Sequence, residues 1–269
     1  MKLKNLSFIC LLAIAVFLCS CESNDNPVIR GSSDLKPQSK VLLELFSNTS
    51  CAYCIYPSLY LDQIDSLKGV TINDTNVIII RTHTTLFPND PFFNYNPPIM
   101  LARQNYYDAG QFNPRAFLCG MEELPGFNSS VWTNIINQRL AQTNSFSIAF
   151  TNTFDTTAKS GSLNITVGQL SGAQVTDTRL FVAVTEGKMP YNAPNGERVF
   201  ENILRDFISS PNGDAFSITP GQSVNFIKNY NLKSGINMNN AQIIVFVQGW
   251  STKTVFGVEE KNLLNNTKK

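Results

Sequence analysis

Val41-Leu42-Leu43-Glu44-Leu45-Phe46 runs into Ser47-Asn48-Thr49-Ser50 and then Cys51-Ala52-Tyr53-Cys54: an apolar run, a polar turn, and two cysteines two residues apart. Near-continuous apolar runs suit a central strand covered on both faces. A segment with helical spacing follows. A redox-active dithiol needs this order, because at a helix start unpaired backbone N–H groups and the helix dipole favour a thiolate on the first cysteine. The same spacing serves a structural disulfide or half of a metal site.

Working outward, Tyr56, Tyr60, Ile64 and Leu67 with Ile55 and Leu59 give the helix a broad apolar face. Thr49 or Ser50 is placed to cap it, Pro57 falls in its first turn, and Gly69 is a stop. Val77-Ile78-Ile79-Ile80 is a second buried-type strand, so the segment predicts a βαβ unit with parallel strands. Both strands then end at one sheet edge, and His83 follows the second as Cys51 follows the first. His83 is read either as a neighbour of the dithiol or as a solvated loop residue. Glu44 also has two readings: a buried proton acceptor near the dithiol, or a carboxylate facing water at the strand end.

Thr84 to Asn96 is rich in Pro, Phe and Asn, and its aromatics need cover. Pro97-Pro98 opens a helix to Asp108. Asn113-Pro114-Arg115-Ala116-Phe117-Leu118-Cys119-Gly120 sets a proline before a short apolar strand, and Ser129 to Thr143 is a closing helix with Val131, Ile135 and Leu140 on one side. In this order, residues 40–145 resemble the thioredoxin fold. The resemblance implies an α/β thioredoxin-like domain in which Cys51 attacks, Cys54 resolves, Glu44 relays a proton, and a cis Pro114 shapes the docking surface. Three departures stand out. The turn before Cys51 is one residue longer, Ser50 stands where a Trp is usual, and the hairpin strand near Glu122–Phe127 is broken by Pro125.

From Phe146 the texture changes. Short alternating segments (146–150, 162–167, 180–185, 224–227, 243–247 and 254–258) are separated by turn residues such as Asn195-Gly196 and Pro220-Gly221. Residues 146–269 therefore read as an all-β antiparallel, Ig-like sandwich. This part holds no cysteine or histidine, so it carries no expected catalytic group. The polar stretch from Asn195 to Asp206 binds a partner or returns over the first domain.

The start of the chain is an address. Residues 1–20 combine a basic Met1–Asn5 with an apolar run of 13 residues, Leu6 to Leu18, too short for a permanent membrane span. Leu18-Cys19-Ser20-Cys21 resembles a bacterial lipobox, which makes Cys21 the lipidation site and the membrane the partner of the N-terminus. Residues 21–39, rich in Ser, Asn, Asp and Pro, read as a flexible tether. Of six cysteines, Cys10 and Cys19 leave with the leader and Cys21 carries lipid. Cys51 and Cys54 then pair as a disulfide in an oxidising envelope compartment, and Cys119 is left as a buried thiol.

Composition bounds the rest. The 269 residues are 43% hydrophobic and 15% charged, with net charge +1. Nothing there calls for nucleic acid. A single histidine excludes a His-rich metal site, and no cofactor is expected. A zinc site from Cys51, Cys54, Cys119 and His83 meets the ligand count only.

The whole layout resembles the twenty-eight-kilodalton outer membrane protein family. The matching stretches are Leu43-Glu44-Leu45-Phe46 through Cys54, Asn195-Gly196-Glu197 through Leu204-Arg205, and Ile244–Gln248 followed by Thr252–Val255. The resemblance implies an outer-membrane lipoprotein. Two functions follow as expectations: thiol–disulfide exchange with a protein partner, or a binding scaffold with an inert disulfide.

Overall fold

The computed structural model describes residues 28–31, 36, 38–64, 76–170, 172 and 174–264. The leader, Cys21 and most of the expected tether lie outside the described residues. Within that tether segment, β1 (Val28–Gly31) forms a strand, a departure from the reading of 21–39 as free linker.

The opening motif folds as its pattern predicts. The apolar run is β2 (Val41–Ser47), buried at every position. After the cysteine turn comes α1 (Ile55–Asp62), then β3 (Val77–His83), which pairs in parallel with β2, Val41 opposite Val77 and Ser47 opposite His83. The long insertion is partly helical: α2 (Pro91–Tyr95) leads into α3 (Pro97–Tyr107), which stops at a left-handed Asp108. Asp90 caps α2 by accepting from Phe92 and Phe93 N–H. β4 (Arg115–Leu118) runs antiparallel to β2 and is bordered by the two-residue β5 (Glu122–Glu123). The closing helix α4 (Ser129–Leu140) turns Trp132 and Ile136 inward and leaves Val131 exposed, so its apolar face is rotated from the predicted one.

The remaining strands are β6 (Phe146–Asp155), β7 (Ser160–Gln169), β8 (Thr178–Glu186), β9 (Met189–Pro190), β10 (Val199–Phe200), β11 (Ile203–Phe207), β12 (Asp214–Phe216), β13 (Gln222–Asn231), β14 (Ala241–Gly249) and β15 (Val255–Asn262). All six segments expected after Phe146 are strands. Their grouping is not that of a free-standing sandwich. A nine-stranded mixed sheet has the order β15-β14-β8-β11-β3-β2-β4-β5, with β12 alongside β8, and a separate four-stranded antiparallel sheet has the order β1-β13-β7-β6. β11 pairs in parallel with β3 and antiparallel with β8, so hydrogen bonding runs unbroken from the cysteine segment into the C-terminal strands.

Period-two alternation explains this arrangement. In β8, Phe181 and Ala183 enter one core, whereas Leu180, Val182 and Val184 enter another. In β14, Ile244 and Phe246 divide from Ile243, Val245 and Val247 in the same way. Both strands are apolar at successive positions because both faces are covered. One face meets the four-stranded sheet. The other meets α3, whose Arg103 guanidinium lies 4.9 Å from the Phe181 ring centroid and 5.3 Å from that of Phe246.

Candidate functional site

Cys51 and Cys54 are joined by a disulfide with Cα atoms 5.4 Å apart. Cys54 occupies the N-cap position of α1, and its N–H donates to the Cys51 carbonyl at 3.1 Å. The helix therefore starts after the cysteine turn, and neither Thr49 nor Ser50 caps it. Their N–H groups go elsewhere: Thr49 N–H donates to Asp90 Oδ2 at 2.8 Å and Ser50 N–H to Asn48 Oδ1 at 2.9 Å. Cys51 is 4% exposed and Cys54 is fully buried, while Ala52 and Tyr53 between them face solvent.

The turn before Cys51 is held by a polar frame. The Asn48 amide donates to the carbonyls of Thr84 and Phe87 at 2.9 and 3.1 Å, tying the β2 exit to the β3 exit. Asp90 Oδ2 receives Thr49 N–H and lies 2.7 Å from His83 Nδ1. Burial would raise the Asp90 pKa, but the His83 contact and the Thr49 and Phe93 N–H groups outweigh it and hold the carboxyl below its usual range. His83 is 1% exposed, with Phe92 and Phe200 rings 4.8 and 5.7 Å away. The solvated-loop reading of His83 is thus corrected: the aromatic insertion covers it.

Opposite the disulfide, the Asn113–Pro114 peptide is cis, and the Asn113 carbonyl oxygen lies 3.5 Å from Cys51 Sγ. With the sulfur in a disulfide this is a contact, not a hydrogen bond. Phe112, just before it, is exposed, as are Tyr53, Tyr56 and Phe87, so the rim of the dithiol is aromatic.

Glu44 is not part of this site. Leu45 pairs with Arg81 across the parallel ladder, and Arg81 reaches the Ser58 carbonyl and Asp62 of α1. Odd positions of β2 and β3 therefore face α1, and Glu44, one residue away, faces α3. There Arg103 Nε and Nη2 donate to its two oxygens, each at 2.6 Å, and Tyr107 Oη adds a third bond at 2.7 Å. Both alternatives for Glu44 are corrected: it is 1% exposed, so it does not face water, and its oxygens are taken by groups on the side away from the cysteine helix.

Cys119 sits at the far end of β4 from Pro114, bonded through its N–H to the Leu42 carbonyl at 2.8 Å. Six residues of near-extended chain from Asn113 span about 20 Å, so Cys119 is no resolving thiol. Burial pushes its pKa up, against the opposing charge of Arg139. Among the described residues no three His, Cys, Asp or Glu side chains are grouped to hold a metal.

One further group lies on the polar stretch expected either to bind a partner or to return over the first domain, and the stretch returns. The loop between β9 and β10 leans on the cysteine turn: Asn195 N–H donates to the Thr49 carbonyl at 3.0 Å. Beside it Glu197, 3% exposed, lies 3.7 Å from Arg81 Nη1. Burial raises the Glu197 pKa to about 7 despite the neighbouring Arg81 charge. The sequence marked the stretch but did not single out Glu197 within it.

Comparison with known proteins adds the following. A family model described as outer membrane protein Omp28 matches residues 102–267. No curated protein matches the sequence significantly. Among solved structures, HBP35 of Porphyromonas gingivalis superposes with a TM-score of 0.71 at 18% identity, covering 88% of this chain and 80% of that one. Protein AGR_C_4864 from Agrobacterium tumefaciens gives 0.56 at 13% identity, covering 88% and 99%. At such identities the likeness speaks for the fold alone. A domain of the outer membrane lipoprotein Omp28 from Porphyromonas gingivalis covers 45% of this chain with a TM-score of 0.33, too low for a structural argument.

Proposed function

The chain belongs to the outer membrane protein Omp28 family, and from that premise we propose that it is a lipid-anchored thiol–disulfide exchange protein of the outer membrane. Its outer-membrane location goes with the family. The anchor is assigned to Cys21, where more than one acyl chain gives stable attachment. Residues 40–145 are read as thioredoxin-like and 146–269 as a sandwich that shares its sheet with them.

One observation carries the exchange reading: the Cys51–Cys54 disulfide heads α1 with the Asn113 carbonyl 3.5 Å from the Cys51 sulfur. Backbone beside the more accessible sulfur gives an extended polypeptide a place to pair as its thiolate approaches. Cys51 is the sulfur attacked, Cys54 the leaving and resolving thiol, and Pro114 shapes the docking face. The exposed rings of Tyr53, Tyr56 and Phe112 favour a protein partner over a small thiol.

The 4% exposure of Cys51 favours the second reading, an inert disulfide in a binding scaffold. The reduction potential, with mass-spectrometric mapping of Cys51, Cys54 and Cys119, separates the two. A potential between about −120 and −270 mV supports exchange, and one below about −300 mV supports a structural bond. A Cys54→Ser variant that traps no mixed disulfide with envelope proteins would count against exchange.

A further inference from the structure

β1 sets the length of the leash between the lipid and the body. It pairs antiparallel with β13, Val28 opposite Asn225 and Gly31 opposite Gln222, and forms one edge of the four-stranded sheet. Only six residues separate Cys21 from Val28. A chain spans at most about 3.3–3.6 Å per residue, so Cys21 stays within about 25 Å of Val28 whatever path those residues take. Without β1, the first fixed point would be Gln38, bonded to Ile148 and Glu259, and the reach would be about 60 Å. A globule of this chain length is about 45 Å across. The longer reach lets any face of the body meet the bilayer. The shorter one admits only the surface around the entry of β1.

That surface has a definite chemistry. Alternate residues of a strand share a face, so Asn225, Ile227 and Asn229 stand together on β13. Val224, Phe226 and Tyr230 between and beside them turn to the core. The register extends the outer face across the sheet: Ile227 lies opposite Asn164 of β7, and Asn164 opposite Thr151 of β6. Thr166 and Ser162 flank Asn164 in the neighbouring rows, opposite Asn225 and Asn229. None of these residues is charged, and Lys228, next to Ile227, turns to the other face and pairs with Asp214 at 3.4 Å. Ile227 is 61% exposed, an apolar side chain on a face of hydroxyls and amides, two residues along β13 from where β1 enters the sheet.

We propose that the outer face of the four-stranded sheet, centred on Ile227, lies against the bilayer that holds the lipid. This rests on the reading of Cys21 as the anchor. Two terms act together. The short leash holds the face at a high effective concentration beside the membrane. Ile227 then enters the headgroup boundary, and its neutral neighbours exchange hydrogen bonds with water and headgroups without bringing a charge against the lipid. One isoleucine does not hold a free protein on a membrane, so the contact needs the lipid on Cys21. It owes nothing to ion pairing, so salt does not screen it. β1 is thus an orientation device: pairing with β13 turns a long tether into a leash that selects one face.

The test uses the full mature chain, lipidated on Cys21, in phosphatidylcholine vesicles that carry a nitroxide-labelled lipid as contact quencher. Ile227→Cys and Met121→Cys each take one fluorophore; Met121, in the turn after β4, is 64% exposed. Cys119 is buried and Cys51 and Cys54 are paired, so the new thiol takes the label. The label at position 227 should be quenched and the one at 121 should not, and the difference should persist at high salt. Ile29→Pro with Arg30→Pro removes donors of β1 from the ladder and should abolish the quenching at 227. A Gly/Ser insertion of about ten residues after Pro27 leaves β1 paired, adds about 35 Å of reach, and should weaken it. Equal quenching at both positions, or quenching lost at high salt, overturns the proposal and leaves the anchor intact. Self-association in detergent that Ile227→Asn abolishes gives the face to a second copy and also overturns it. A mature N-terminus without acyl chains on Cys21, read by mass spectrometry, overturns the anchor reading itself.

Discussion

Glu44 on β2 and Arg103 on α3 form a two-point ion pair, both side chains 1% exposed, with N–O distances of 2.6 Å. Gln248 of β14 closes the group: its Oε1 accepts from Arg103 at 2.9 Å and its Nε2 donates to Tyr107 Oη at 2.9 Å. The pair thus links the strand before the cysteine turn, the helix over it and, through Gln248, a strand two hundred residues later. Burial alone would make Arg103 easier to deprotonate, but the Glu44 carboxylate reverses this and holds its pKa above the usual value. Tyr107 is pushed well up by burial and by the same carboxylate.

Removing one partner leaves a buried charge without compensation. Arg103→Met should therefore cost about 3–5 kcal/mol, while Glu44→Leu with Arg103→Met should recover most of it. Urea denaturation of the two single variants and the double variant forms the cycle. Additive losses, with no coupling between the sites, would contradict a tight pair.

Two carboxylates give opposite signs in the pH dependence of stability. Asp90 titrates below the usual carboxylate range, so its stabilising contribution is present at pH values above that range and is lost as pH falls through its lowered pKa. Glu197 is pushed above the usual carboxylate range by burial, to about 7. The folded state then binds more protons in that interval, and stability falls as pH rises through it, by roughly 2–3 kcal/mol. Denaturation midpoints of the wild type should decline from mildly acidic to neutral pH, and Glu197→Gln should remove the decline. An equal decline in the variant assigns it to another group.

Gly120 is a close-approach point between the two halves of the chain. Its φ is +82°, and an added Cβ would stand 1.8 Å from the Lys253 carbonyl oxygen, which is backbone and has little room to yield. The Gln248 amide donates to that same oxygen, and Val255 N–H bonds the Cys119 carbonyl at 2.9 Å. Gly120→Ala combines a left-handed φ with a backbone clash and should destabilise by more than about 3 kcal/mol. A thermal melt within a degree or two of the wild type would show that the turn around Lys253 yields.

The parallel pair of β2 and β3, the helix between them and the Cys51–Cys54 disulfide were all readable in the chain, because each depends on local pattern. Apolar runs bounded by turns, helical spacing and a two-residue cysteine gap are short-range signals. The six C-terminal strands were legible for the same reason. Their partners were not: β11 joins β3 through a single register pair across more than a hundred residues, and no local signal encodes which edge a strand completes. The run of apolar residues in β8 and β14 reports burial on both faces without naming the cover on either.

Glu44 and Glu197 mark the same boundary at the site. The sequence put a carboxylate seven residues before Cys51, and the pleat decided its fate: one residue of offset from Leu45 turns it to Arg103 and away from the cysteine helix. Glu197 lies far along the chain, in a polar stretch expected to bind a partner or return over the first domain, with nothing in the sequence to single out its carboxylate. It reaches Arg81 because β8 and β11 carry the intervening loop onto the face of α1. The sequence by itself determined the dithiol and the strand–helix frame that presents it. Only the tertiary structure decided which carboxylate shares that frame, since side-chain neighbours across a sheet follow from strand pairing and face, not from distance along the chain.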